Sequence, residues 1–221
     1  MDQNTKKQRV AEAVLDYIDN GESLGIGSGS TVNILIENLS KVKNKIRNVV
    51  SSSVKSTELL EANGFEVSEL RDVGRLTKYI DGADEVNKDL QMIKGGGGAL
   101  TREKILAHNS NQFICIVDDS KKVDMLGQFP LPIEVIPLSR SSVSLELIKH
   151  GGRPVLRENF VSDNGNLILD VHNLKIMEPI KLEQSINNIP GVVTNGIFAL
   201  DHANVLLCAS DSGVDKTDLN A

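Results

Sequence analysis

The 221-residue sequence predicts a Rossmann-like α/β domain with a mainly parallel sheet, carrying a second, smaller ferredoxin-like α+β domain. Three observations point there. Strand-like and helix-like patterns alternate from the N-terminus to about residue 126, as in parallel βαβ units. Pro130, Pro132 and Pro137 then crowd one short stretch and mark a crossing into a second unit. Beyond it the pattern order becomes β-α-β-β-α-β, the split ferredoxin-like arrangement. The expected division is residues 1–128 with 203–221 for the larger α/β domain, and 129–202 for the small one.

Each element has its own warrant. Residues 4–20 carry Val10, Val14, Tyr17 and Ile18 at helical spacing and stop at Gly21. SLGIG (23–27) is a short strand that enters a glycine-rich turn, and VNILIENL (32–39) resumes the helical period. IRNVVSSS is strand-like, KSTELLEANG a helix with a glycine stop, and FEVSEL strand-like again. KYIDGADEV runs from a strand into an acidic turn, ALTREKILAHN is a helix, QFICIVDD a buried strand and SKKVDML a helical turn. In the second domain IEVIPL, RPVLRE, LILDVH and VVTNGIFAL read as strands, and SSVSLELIKHGG and PIKLEQSINNIPG as helices. DNG between two apolar runs is a hairpin signal. NVLLCAS is a last strand that returns to the first domain.

Composition excludes several function classes. The net charge is −6 and aromatics make up 3%, with no Trp, so the chain lacks both the basic patch and the stacking platform of a nucleic-acid binder. Cys115 and Cys208 lie in apolar runs, as reduced, buried strand residues do, and no Cys/His spacing suggests zinc. MDQNTKKQRV has no apolar run after its basic residues, and no stretch approaches a membrane span, so the expected location is cytoplasmic, with no membrane or nucleic-acid partner.

Four strand ends, carrying GSGST, SSS, DGAD and DDSKK, bring small, acidic and basic residues to one rim. GSGST (27–31) points backbone amides and the hydroxyls of Ser28, Ser30 and Thr31, with Gly29 between, at an anion near a helix start. No lysine precedes Ser30 or Thr31 as in a Walker A loop, and the next strand ends in serines rather than the acid that holds a ribose hydroxyl. A small phosphorylated ligand therefore suits the turn better than a dinucleotide, and an unliganded tight turn suits it equally well. Asp81 and Asp84 in DGADEV could hold sugar hydroxyls or move protons between oxygens, or could simply cap a solvated turn. No third carboxylate or histidine is spaced to complete a metal site there.

KGGGGALTREK (94–104) raises the sharpest question, because glycine costs about 0.5–1 kcal/mol against alanine in a regular element. Bare backbone at Gly95, Gly96 and Gly97 lets amides approach a ligand and hold an oxyanion. Lys94 could stabilise developing negative charge, and Glu103, about one turn into the following helix, could act as a base. A flexible loop and a surface glutamate would read the same. In DDSKKVD, Lys121 and Lys122 read as a solvated helix start.

Taken together, SLGIGSGST, VSSS, YIDGADEV, QMIKGGGGALTREK, FICIVDDSKKVD, FPLPIEVIP, NGNLILDVH and IPGVVTNGIF resemble the ribose-5-phosphate isomerases of type A, in order and spacing, from about residue 6 to 213. The resemblance implies interconversion of ribose 5-phosphate and ribulose 5-phosphate in the non-oxidative pentose phosphate pathway, without metal or cofactor, by a homodimer or homotetramer, with a homodimer expected here. It implies that Glu103 is the base, that Asp81 and Asp84 assist at the sugar hydroxyls, and that Lys94 with the glycine amides stabilises the enediolate. Ser28, Gly29, Ser30 and Thr31, with Lys7 and Lys121, would hold the substrate and its phosphate. Ser28 stands where the family often has Thr, Gly98 where Ala is common, and the C-terminus lacks the family's apolar ending. A non-catalytic sugar-phosphate sensor is the alternative, and it has no need of the full set Asp81, Asp84, Lys94 and Glu103. An amino-sugar phosphate deaminase or a CoA transferase on a similar scaffold fits DGAD and the glycine run less well.

Overall fold

The computed structural model describes residues 1–219; Asn220 and Ala221, the end of the expected 203–221 segment, lie outside the described residues. In chain order the elements are α1 (Gln3–Ala13), β1 (Glu22–Ile26), α2 (Ser30–Asn38), β2 (Ile46–Ser51), α3 (Val54–Ala62), α4 (Leu70–Val73) and β3 (Leu76–Asp81). Next come β4 (Glu85–Val86), β5 (Met92–Ile93), α5 (Leu100–His108), β6 (Ser110–Asp118), β7 (Leu131–Val135), α6 (Arg140–Lys149) and β8 (Arg153–Leu156). The chain closes with β9 (Leu167–His172), α7 (Pro179–Asn187), β10 (Val192–Asn195), β11 (Ile197–Phe198), β12 (Val205–Ala209) and β13 (Val214–Asp218).

Two compact units result. One comprises Met1–Ala83, Arg102–Lys121 and the chain from Ala203 onward; the other comprises Asp84–Thr101 and Lys122–His202. This differs from a division at residue 128. Residues 84–101 join the second unit because β4 and β5 form an antiparallel sheet with β11, and Val123 N–H donates to the Val86 carbonyl at 2.9 Å.

In the first unit the described strands form one sheet in the order β13-β12-β6-β3-β1-β2. All neighbours are parallel except β13, which runs antiparallel to β12. Every residue of β1 and β12 is buried, as in parallel strands covered on both faces. Leu24, Ile26, Ile80, Ile114, Ile116 and Leu207 form a core with Val10, Val14 and Ile18, the apolar stripe read from the sequence. Cys115 and Cys208 are reduced and buried in β6 and β12. The sheet order reverses at β1, whose neighbours are β2 and β3. Such a switch point opens a crevice at the carboxyl ends of the strands, where ligands of open α/β sheets bind.

In the second unit β7, β8, β9 and β10 form an all-antiparallel sheet in the order β10-β7-β9-β8. With α6 and α7 this is the β-α-β-β-α-β arrangement read from the pattern. Its core gathers Ile133, Val135, Val143, Leu147, Leu169, Val171 and Ile186.

Several local expectations change. FEVSEL supplies only an isolated bridge, Val67 to Val49. The first helix is regular over Gln3–Ala13 and tightens to a 3₁₀ turn at Val14–Tyr17. SKKVDML keeps only the end of a 3₁₀ turn, Asp119–Lys121. VVTNGIFAL is two strands in different sheets, parted at Gly196, whose N–H donates to Pro132 at 2.8 Å and whose carbonyl takes the Lys94 N–H at 2.9 Å. The DNG turn exists, with Gly165 N–H donating to Ser162 at 2.9 Å, but it caps a longer loop between β8 and β9. The polar stretch SGVDKTD near the C-terminus is no bar to order: Val214–Asp218 pairs along β12 as an edge strand, with Asp215, Lys216 and Thr217 exposed.

Candidate active site

The first unit builds one group of chemistry-bearing residues at the switch point. β1 ends at Ile26, and Gly27 N–H donates to the Ile80 carbonyl of β3 at 2.9 Å, which brings the GSGST turn against Asp81. The approach is possible only for glycine: a Cβ on Gly27 would lie 1.9 Å from Asp81 Cγ. Asp81 is fully buried. Its Oδ1 accepts from Ser28 N–H at 3.1 Å and Gly82 N–H at 2.7 Å, and its Oδ2 accepts from the Tyr79 hydroxyl. Burial pushes the Tyr79 phenol well above its ordinary range, reinforced by the negative charges of Asp81 and Glu103. Tyr79 is thus a neutral donor to a buried carboxylate.

Ser28 also reaches Glu103. Its Oγ donates to Glu103 Oε1 at 2.6 Å. Glu103 lies in the first turn of α5 and is 3% exposed. A carboxylate near a helix N-terminus is favoured by the helix dipole. Around the rest of the turn, Lys7 Nζ donates to Ser30 Oγ at 3.0 Å, and Ser56 Oγ donates to the Gly27 carbonyl at 2.8 Å. Gly29, with φ +97°, is the N-cap of α2, and Thr31 lies in that helix's first turn. Lys121 ends the 3₁₀ turn after β6, beside buried Asp118. Burial works to raise the Asp118 pKa, but donors from Ser120 and Gln3 and the Lys121 charge outweigh it and hold the pKa low.

The second unit builds the other group. Asp84 Oδ2 accepts from Gly96 N–H at 2.8 Å, and Asp84 N–H donates to the Ile93 carbonyl at 2.8 Å. Lys94 follows β5 and is 3% exposed, its Nζ 5.5 Å from the centre of the Phe198 ring. Gly98 N–H donates to the Gly95 carbonyl at 2.9 Å and closes the turn. Gly98 has φ +84°, and a Cβ there would lie 2.2 Å from Phe160 Cζ. The fourth glycine therefore makes room for an aromatic ring rather than loosening the loop. Buried Glu85 accepts from Gly127 N–H at 2.8 Å and from Phe129 N–H, so the neighbour of Asp84 is structural.

Apart from Lys7, in the second turn of α1, every residue expected from the sequence sits at a strand end, a tight turn or the start of a helix. Ser28, Asp81 and Glu103 converge on one another in the first unit, with Lys7 on Ser30; Asp84 is joined to the glycine run that follows Lys94 in the second. Among the described residues, no group of three or more His, Cys, Asp or Glu could hold a metal ion, and no helix is long and apolar enough to cross a membrane.

The family model for ribose 5-phosphate isomerase A (phosphoriboisomerase A) matches residues 48–213. The chain is 52% identical over 214 residues to ribose-5-phosphate isomerase A of Buchnera aphidicola subsp. Acyrthosiphon pisum (strain Tuc7), covering 97% of this chain and 96% of that one. The chain belongs to the ribose 5-phosphate isomerase A family. Its structure is similar to the crystal structure of ribose 5 phosphate isomerase A from Neisseria gonorrhoeae, with a TM-score of 0.96 at 47% identity over 98% of this chain and 97% of that one. It is also similar to a D-ribose-5-phosphate isomerase in complex with phospho-erythronic acid, with a TM-score of 0.95 at 35% identity over 99% of this chain and all of that one.

Beyond the motifs of this isomerase family, the structure adds residues that local sequence did not single out. Tyr79 precedes Asp81 by two and could have been read from strand alternation, since both point to the same side of β3. Glu134, fully buried, accepts from Thr101, Ser162, Asn164 and Asn166. Arg157 meets the Gly95 and Gly96 carbonyls. These contacts join segments tens of residues apart and leave no periodic trace.

Proposed function

We propose that the protein is an aldose–ketose isomerase that interconverts D-ribose 5-phosphate and D-ribulose 5-phosphate through an enediolate, with Glu103 as the base. The observation that carries the reading is the buried Glu103 carboxylate held by Ser28, in a chain of this family. Glu103 takes the C2 proton of the open-chain aldose, and the electron pair moves into the C1 carbonyl to give the enediolate. The proton returns to C1 while the hydroxyl proton passes from O2 to O1, which leaves the C2 ketone. Atoms and charge balance, with no redox partner required.

Asp81 and Asp84 assist at the sugar hydroxyls, in ring opening and in moving the hydroxyl proton. Lys94 and the amides of Gly95 and Gly97 stabilise the enediolate oxygens, while the Gly96 amide holds Asp84; one well-placed donor to an oxyanion is worth about 2.7–4 kcal/mol. Ser28, Gly29, Ser30, Thr31, Lys7 and Lys121 hold the substrate and its phosphate. The bond from Lys7 to Ser30 supports that part of the assignment. A homodimer in the cytoplasm, acting without metal or cofactor, completes the proposal on the strength of the family resemblance.

The deciding experiment is an absorbance assay of purified protein on ribose 5-phosphate, with and without EDTA. Formation of ribulose 5-phosphate insensitive to EDTA is the expected result. Binding by calorimetry without turnover would replace this reading with the sensor. Size-exclusion chromatography with light scattering checks the dimer.

A further inference from the structure

The glycine run needs something to fix its peptide planes, because residues 95–98 have no side chains to lock them. In the second unit one cation lies against two of its carbonyls. Arg157 Nη1 and Nη2 each donate to the Gly95 carbonyl at 3.3 Å, and Nη1 donates to the Gly96 carbonyl at 3.1 Å. The guanidinium is itself held. Its Nε donates to Asp170 Oδ2 at 2.8 Å and its Nη2 to Oδ1 at 2.5 Å, a bidentate pair with both side chains mostly buried. The Phe160 ring, which also lies over Gly98, sits 5.2 Å from the guanidinium carbon.

The β8–β9 hairpin accounts for this placement. Arg157 N–H donates to the Ile168 carbonyl at 2.9 Å, which carries the ladder one residue past β8 and makes Asp170 the diagonal cross-strand neighbour of Arg157.

Peptide geometry gives the consequence. In a trans peptide the carbonyl and the next residue's N–H point in opposite directions across one plane. The chain has no cis bonds among its described residues. With the Gly95 carbonyl on Arg157, the Gly96 N–H points away from it, and it donates to Asp84 at 2.8 Å. With the Gly96 carbonyl on Arg157, the Gly97 N–H is likewise turned away from the cation. Two successive amides thus face away from one guanidinium, the Gly96 amide onto the Asp84 carboxylate, which leaves the Gly97 amide as the donor for an oxyanion.

We propose that Arg157 is a positioning residue for the enediolate-binding loop: it fixes the peptide planes on either side of Gly96 and so aims the Gly96 amide at Asp84 and the Gly97 amide at the developing oxyanion. The catalytic half of this rests on the isomerase reading above; the orienting half rests on the contacts alone. The planar fork of arginine spans two carbonyls and a carboxylate at once, which a lysine ammonium cannot.

The test compares Arg157→Met and Arg157→Lys with the wild type by steady-state kinetics on ribose 5-phosphate, thermal melting, and hydrogen exchange of the Gly96 amide by NMR in the ligand-free protein. The expected result for R157M is a kcat lower by about 10- to 100-fold with KM changed less than about threefold, as for loss of transition-state donors. Gly96 exchange rises about tenfold while core amides keep their protection. Unchanged kcat overturns the proposal, and so does a loss carried wholly by KM or a fall in kcat with unaltered Gly96 exchange. If R157M fails to fold, R157K carries the test, and wild-type kcat and exchange in that variant overturn it. Absence of turnover in the wild type refutes the isomerase reading instead, and the exchange comparison still judges Arg157.

Discussion

Ser28 holds Glu103 by its hydroxyl, at 2.6 Å, and Asp81 by its amide, at 3.1 Å. One small residue in a glycine turn thus fixes two buried carboxylates with two different donors. Ser28→Ala removes only the hydroxyl donor. A hydrogen bond to a charged group contributes about 1.5–3 kcal/mol, so kcat should fall about 10- to 100-fold while Asp81 keeps its amide donor. Ser28→Thr restores the hydroxyl and should return most of the activity. Steady-state kinetics on the pair decides it; an alanine variant with wild-type kcat would remove Ser28 from the mechanism.

Glu103→Gln makes the sharper cut. Glutamine can still accept from Ser28, so the fold and the substrate KM should hold. The base is gone, and kcat should fall about 10³- to 10⁴-fold. Near-normal kcat would show that another group moves the proton.

How much of this was legible in the sequence follows from distance along the chain. GSGST, DGAD and KGGGGALTREK are contiguous, and each gathers its polar groups within a few consecutive residues, so a strand end, a turn and a helix start could be read directly. The helical stripe of Val10, Val14 and Ile18 and the β-α-β-β-α-β order were periodic signals of the same local kind. The Ser28–Glu103 and Arg157–Gly95 bonds close separations of 75 and 62 residues, and no local pattern encodes them. Domain boundaries misled for a related reason: β4 and β5 are two-residue strands, too short for a period, and their partner β11 lies about a hundred residues on.

Tyr79 makes a pH-dependent prediction. Its folded pKa is raised, first by burial and then by the charges of Asp81 and Glu103. A folded pKa above the unfolded value of about 10 means that, between the two, the unfolded state releases a proton which the folded state retains. Stability from this group is therefore complete below about pH 10 and is lost as pH rises toward the folded pKa. Tyr79→Phe should be less stable at neutral pH by about 1–3 kcal/mol, since Asp81 loses a donor. It should also lose the Tyr79 part of the alkaline decline. Urea melts of both proteins across pH 8 to about 11 test this; parallel declines would contradict it.

Two glycines two residues apart should behave differently when replaced by alanine. At Gly27 the added Cβ would meet Asp81 Cγ at 1.9 Å, and Asp81 is fully buried, so the carboxylate or the β1 end must move. Gly27→Ala should abolish most activity and lower the melting temperature. At Gly29 nothing lies within 4 Å, and the cost is that of a side chain at φ +97°, ψ 174°, a region essentially reserved for glycine, about 1–3 kcal/mol. Gly29→Ala should therefore stay folded, and its kcat should exceed that of Gly27→Ala. Equal losses would show that backbone freedom, not the close approach to Asp81, sets the need for glycine in the turn.

On the proposed isomerase reading, phospho-erythronic acid, with which a similar D-ribose-5-phosphate isomerase has been solved, is a probe for this chain's enediolate site. Its carboxylate is a planar anion, as the enediolate is, whereas the corresponding phospho-erythritol ends in a neutral hydroxymethyl group. A site built for the transition state should prefer the acid by at least about 100-fold. On the reading above, buried Lys94 supplies much of that preference. Lys94→Met should therefore weaken the acid far more than the alcohol and bring the two inhibition constants together. Competition assays with both ligands on both proteins measure this directly, and melting shifts at saturating ligand give a second readout. If Lys94→Met weakens acid and alcohol equally, Lys94 binds a part common to both ligands, and charge stabilisation at the reacting carbons must come from the glycine amides alone.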